Sequence, residues 1–116
     1  MAKRERPRYL PPQLGKRDHE RTALIPRWFL REAVPGLGLT PYDVAAFLVL
    51  ADNLDATGAS RTAPGLVAER TGMSRRRAVD AVEHLLAAQV IFRLDEQQRG
   101  RTMRYAIAAE CPWIGR

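Results

Sequence analysis

Residues 66–91, LVAERTGMSRRRAVDAVEHLLAAQVI, constrain the fold more than any other stretch. Their apolar spacing reads as a short helix, a break at Gly72 and a longer helix that opens on Ser74-Arg75-Arg76-Arg77. Glycine takes the left-handed conformation that ends a helix and serine is a favoured N-cap, so the chain turns sharply between two well-defined helix ends. Three arginines in the first turn put positive charge where unpaired backbone N–H groups already attract anions. The longer helix is expected to run to about Ala88 and to bury Ala78, Ala81, Val82, Leu85 and Leu86.

The flanks supply further elements. Ala23–Leu30 is apolar but interrupted by Pro26, which suggests a short extended piece with Trp28 and Phe29 docking on the core. Pro35-Gly36-Leu37-Gly38 reads as a loop. Thr40-Pro41-Tyr42-Asp43 then announces a helix, with threonine as N-cap, proline at the first position and aspartate completing a capping-box-like pair. Val44, Phe47, Leu48, Ala51 and Leu54 are its expected inward face. Asp55 to Gly58 ends it, and Ala59–Thr62 is a short strand candidate. Pro64 starts the helix that Gly72 closes. Val90–Leu94 and Thr102–Ile107 read as two strands of a hairpin around a polar loop that holds Arg99, Gly100 and Arg101. Cys111-Pro112-Trp113-Ile114 is expected to pack on the domain.

At 116 residues the chain can hold one modest core. Its net charge of +6 suggests a polyanionic partner, but the excess is not spread evenly. Residues 1–31 carry nine Lys/Arg against three Asp/Glu, whereas residues 32–116 carry ten of each. The excess is therefore N-terminal, and seven of those nine bases with all three acids fall in an arm, residues 1–21, with three prolines and no apolar periodicity. It is either a solubilising tail or an arm that tracks phosphates through residues such as Lys3, Arg4, Arg6 and Arg8. No apolar run is long enough to span a bilayer, no apolar segment follows the basic start, and Cys111 is the single cysteine. A soluble protein of a reducing, cytoplasmic compartment is the expectation.

The order helix, strand, helix, turn, helix, strand, loop, strand resembles a winged helix-turn-helix domain: an α+β fold, mainly α with a small β-hairpin. It would span residues 22–110, between the arm and a tail at 111–116. Leu66–Ile91 is similar to the helix-turn-helix of bacterial winged-helix regulators through Ala68, Gly72, Met73, Ser74, the basic run, Ala81, Val82 and Leu85. Ile25–Leu30, Leu39-Thr40-Pro41 and the helix bearing Phe47 and Leu48 are similar to the head of such domains in phage and plasmid replication-type proteins. Two positions depart from the pattern. Ala78 stands where a valine or isoleucine is usual, and Gln89 where glycine usually ends the second helix.

The resemblance implies sequence-specific binding of double-stranded DNA by a small transcription regulator, with a phage or plasmid replication or maintenance factor as the alternative. It also implies a nucleoid setting in a prokaryotic cytoplasm. The second helix would lie in the major groove with Ser74, Arg75, Arg76, Val79, Asp80 and Glu83 outward. Ser74 and the helix-start N–H groups would hold phosphate, Arg75 and Arg76 would reach guanine, and Val79 would touch a thymine methyl. Arg77 belongs to the same basic run. Asp80 either accepts from a cytosine amine or, as surface charges more often do, pairs with Arg76 or Arg77 one turn back. Arg99, Arg101 and Arg104 would form the wing. One motif covers few base pairs, so a homodimer on paired half-sites is a common solution.

The competing reading of the arginine run is a solvated helix face. A winged helix that docks on a protein partner is another class of function, which an arginine-rich outer face disfavours. His19 lies in the arm between Asp18 and Glu20, His84 beside Glu83, and Cys111 has no neighbour at metal-ligand spacing. There is no glycine-rich phosphate loop. Neither an enzyme nor a metal or cofactor site is expected.

Overall fold

The computed structural model describes residues 22–95, 100 and 102–112. The arm at 1–21, with Lys3, Arg4, Arg6 and Arg8, lies outside the described residues, as do Arg99, Arg101, Trp113 and Ile114. The fold is α+β. Helices α1 (a π-helical turn Phe29–Ala33 continued by Val34–Gly36), α2 (Pro41–Asp52), α3 (Pro64–Thr71) and α4 (Arg75–Ala87) pack against strands β1 (Ala59–Arg61), β2 (Ile91–Arg93) and β3 (Arg104–Ile107). The sheet is antiparallel in the order β1-β3-β2, with Ser60 opposite Tyr105 and Ile91 opposite Ile107.

Helix α1 corrects the expectation of an extended piece followed by a loop. Pro26 starts the helical turn, its carbonyl accepting from the Phe29 N–H at 3.1 Å. Pro35 has no N–H and its ring cannot sit against the carbonyl four residues back. The helix is wider before it, with the Val34 N–H reaching back five residues to the Phe29 carbonyl. This wide turn buries Phe29 and Ala33 completely. Phe29 stacks on Phe47 of α2, ring centroids 3.6 Å apart, and Trp28 meets Phe29 edge-on. The aromatics do dock on the core, from a helix.

Helix α2 begins as its sequence dictates. The Asp43 N–H donates to Thr40 Oγ1 at 3.3 Å, the Thr40 N–H donates to Asp43 Oδ2 at 2.8 Å, and Pro41 occupies the first turn. Its inward face is a correction, because Leu48 is 40% and Leu54 37% exposed while Ala46, Val49 and Leu50 are buried with Phe47 and Ala51. The segment VAAFLVLA is apolar nearly all round, so periodicity alone admits two rotations. Contact with α1, α3 and α4 selects the one observed.

At the far end of α2, Asn53 Nδ2 donates to the Arg61 carbonyl and to Thr62 Oγ1, which also contacts Ser60 Oγ at 2.8 Å. These bonds tie the helix to β1 and satisfy two buried hydroxyls. Between them Asp55 Oδ1 accepts from the Thr57 hydroxyl and from the Thr57 and Ala59 N–H groups. These bonds, that of the Thr57 hydroxyl foremost, hold its carboxyl below the usual carboxylate range.

Gly72 ends α3 at φ 77°, its N–H donating to the Ala68 carbonyl. Helix α4 buries Ala78, Ala81, Val82 and Leu85, with Leu86 half-buried beside them. Ala78, small for its position in the resemblance, is completely buried. The α4 C-terminus is closed by a paired motif, the Val90 N–H donating to the Leu85 carbonyl and the Gln89 N–H to that of Leu86. That motif needs a left-handed residue, and Gln89 supplies it at φ 62°. Holding a residue with a Cβ there costs about 1 kcal/mol. Gln89→Gly is therefore expected to raise the thermal midpoint by about 4–8 °C. A lowered midpoint would mean that the glutamine side chain provides a stabilising contact of its own.

Candidate functional site

The start of α4 is built by its cap. Ser74 is extended (φ −66°, ψ 156°) and its Oγ accepts from the Arg77 N–H at 3.1 Å. That bond satisfies one of the free helix-start donors and leaves the Ser74 hydroxyl hydrogen free to point outward. Arg75 and Arg76 follow, both exposed, and among the described residues neither has an ion-pair partner. Val79 sits one turn on from them, 38% exposed. Ser74, Arg75, Arg76, Val79 and Asp80 are thus exposed along the opening turns of one helix.

Arg77 behaves differently. Its guanidinium carbon lies 4.0 Å from the centroid of the Tyr42 ring on α2. Such a cation–π contact contributes about 0.5–1 kcal/mol at an exposed site, which biases the long side chain toward the rotamer that faces Tyr42. The contact closes one side of a shallow groove of about 350 Å³ lined by Thr40, Tyr42, Asp43, Arg77, Asp80, Ala81 and His84. At its base Asp43, 3% exposed, meets His84 Nδ1 through the oxygen that also accepts from the Thr40 N–H. Asp43 therefore serves both as the capping carboxylate of α2 and as the anchor of α4 on that helix.

Asp80 does not take the partner expected of it. Among the described residues it forms no ion pair, with Arg76 or Arg77 or any other. A base placed N-terminal to an acid is the weaker order for a helix pair, and Arg77 is turned toward Tyr42. Glu83, one turn further, is held by Arg93 of β2 at 3.1 Å.

The sheet end has its own pairing. Arg104 donates from Nε to Asp95 Oδ2 at 2.8 Å and from an Nη nitrogen to Oδ1 at 2.6 Å. This fork clasps the chain after β2 to the start of β3. The Arg104 guanidinium holds the Asp95 carboxyl below the usual range, and the same bond raises the guanidinium. Arg104 is thereby a brace of the hairpin, where the sequence suggested an outward contact. Arg99 and Arg101, the other two residues expected to make outward contacts there, lie outside the described residues.

Sequence reasoning missed Tyr42 and the Asp43–His84 pair. Thr40 and Asp43 were legible as a helix start, but nothing local says that position 42 meets position 77, or 43 meets 84. Among the described residues no three His, Cys, Asp or Glu side chains are placed to hold a metal ion, and no helix is long and apolar enough to cross a membrane. No protein-family model, curated protein or solved structure matches this chain.

Proposed function

We propose that the protein is a winged helix-turn-helix domain that binds double-stranded DNA sequence-specifically and acts as a small transcription regulator. One observation carries this reading. From α3 to β3, Arg70, Arg77, Arg93 and Arg104 are each held by Asp52, Tyr42, Glu83 and Asp95, whereas Arg75 and Arg76 alone among the described arginines there have no such partner. These two guanidinium groups, without an ion-pair partner among the described residues, stand at the start of an exposed helix, an element that the major groove admits. Arg75 and Arg76 reach guanine edges, the Ser74 hydroxyl and helix start hold a phosphate, and Val79 contacts a thymine methyl. The element order and the β1-β3-β2 sheet support the winged-helix reading, with the loop carrying Arg99 and Arg101 as the wing.

Selection of bound sequences from a randomised duplex pool tests the proposal and reports the symmetry of the site, hence monomer or homodimer. Arg76→Ala is expected to weaken the selected site by about 5- to 150-fold more than random duplex, the value of one good guanine contact. Arg101→Ala, a phosphate contact in this reading, should weaken both alike. Failure to bind any duplex at low salt, or equal losses in both variants, would overturn base reading by α4.

A further inference from the structure

Every other charge on the outer face of α4 is explained by a contact or by the proposed DNA reading, and Asp80 is not. It is an exposed carboxylate in the second turn of a helix that opens on three arginines, yet it has no ion-pair partner among the described residues. Of the two arginines one turn back, Arg77 at i−3 is stacked on Tyr42 instead. We propose that Tyr42 holds Arg77 away from Asp80 and so leaves a bare carboxylate that selects cytosine at one position of the DNA site. The inference rests on the DNA-binding reading above.

The selection follows from the chemistry of base edges. A carboxylate only accepts hydrogen bonds, and it is repelled by the phosphates that the arginines attract. In the major groove it finds a donor at the cytosine N4 amine. Guanine presents two acceptors, O6 and N7, and thymine presents O4, all of which repel it. Adenine presents an amine beside the N7 acceptor, so one carboxylate oxygen gains a bond while the other faces a lone pair. A neutralised Asp80 would lose this discrimination. Tyr42 is thus a positioning residue, acting on the base contact through Arg77.

The full-length chain and its variants are selected against randomised duplexes at about 0.1 M salt, with circular dichroism to confirm folding. The native chain is expected to favour cytosine at one position by about tenfold over the other bases. Asp80→Ala flattens that position alone and strengthens binding to random duplex, because a charge that repels phosphate is gone. Asp80→Asn moves the preference to adenine, whose N6 and N7 match the amide. Tyr42→Leu lowers the preference at the same position about twofold with Asp80 still present, the strength of the helix pair that the released Arg77 can form with it, whereas Tyr42→Phe keeps the ring and the preference. The double variant Tyr42→Leu/Arg77→Ala regains the cytosine preference, because nothing then neutralises Asp80.

An unchanged selected sequence in folded Asp80→Ala overturns the assignment while leaving DNA binding standing. Loss of preference in Asp80→Ala with no fall at all in Tyr42→Leu overturns the role of Tyr42. Binding without any sequence preference overturns this inference together with base reading by α4 and leaves only duplex binding standing, and no duplex binding at all overturns the whole function it rests on.

Discussion

Raising the salt from about 50 to about 200 mM is expected to weaken duplex binding about a thousandfold. With about six phosphates neutralised, the logarithm of affinity should fall with the logarithm of salt at a slope of about −5. The distribution of charge says which residues carry that slope. Residues 32–116 are neutral overall, and four of their described arginines already have partners, which leaves Arg75 and Arg76 on α4 and Arg61 on β1. The arm at 1–21 supplies most of the excess, with Arg27 and Arg31 supplying the rest. A chain lacking residues 1–20 should therefore bind random duplex less tightly and with a shallower slope, while retaining its thermal midpoint and its selected sequence. Titrations across a salt series measure both slopes. A flat response in the full chain would exclude phosphate neutralisation as the source of affinity, and unfolding of the shortened chain would show the arm to be structural.

Phe29→Ala is expected to be the most damaging single substitution for stability. The ring is completely buried and stacked on Phe47, so its loss removes both the transfer free energy and the packing of α1 on α2. Phenylalanine-to-alanine changes in cores cost about 3–5 kcal/mol, against a total of about 5–15 kcal/mol for a domain. A drop of at least about 12 °C in the thermal midpoint follows for a domain of this size. Leu30→Ala, at the neighbouring but half-exposed position, should change stability by less than about 0.5 kcal/mol. Equal small effects of both would mean that α1 is not part of the cooperative unit. The pair matters for function because α2, which α1 supports, carries Tyr42 and Asp43 against α4.

Local chemistry makes several elements legible in the amino-acid sequence. Thr40-Pro41-Tyr42-Asp43, Gly72 and Ser74 each announce a helix end through bonds to residues at most four positions away, and those bonds are present. The inward face of α4 is legible because its apolar residues are sparse enough to define one stripe. That of α2 is not, since an almost wholly apolar helix fits several rotations. Nor is α1, where Pro26 ahead of it and Pro35 within it look like breaks until Pro26 is seen to start the turn and a wide turn to precede Pro35.

The candidate site divides in the same way. The sequence determined that Ser74 caps a helix and that Arg75, Arg76 and Arg77 crowd its first turn, because capping and helical periodicity act over a few residues. Only the tertiary structure decided what each charge does there. Arg77 goes to Tyr42 of α2, His84 to Asp43, Arg104 to Asp95 across the hairpin, and Arg75, Arg76 and Asp80 to no partner among the described residues. A long charged side chain chooses among whatever rings and carboxylates the packed helices bring within its reach, and for Arg77 and His84 those groups lie more than thirty residues away in sequence.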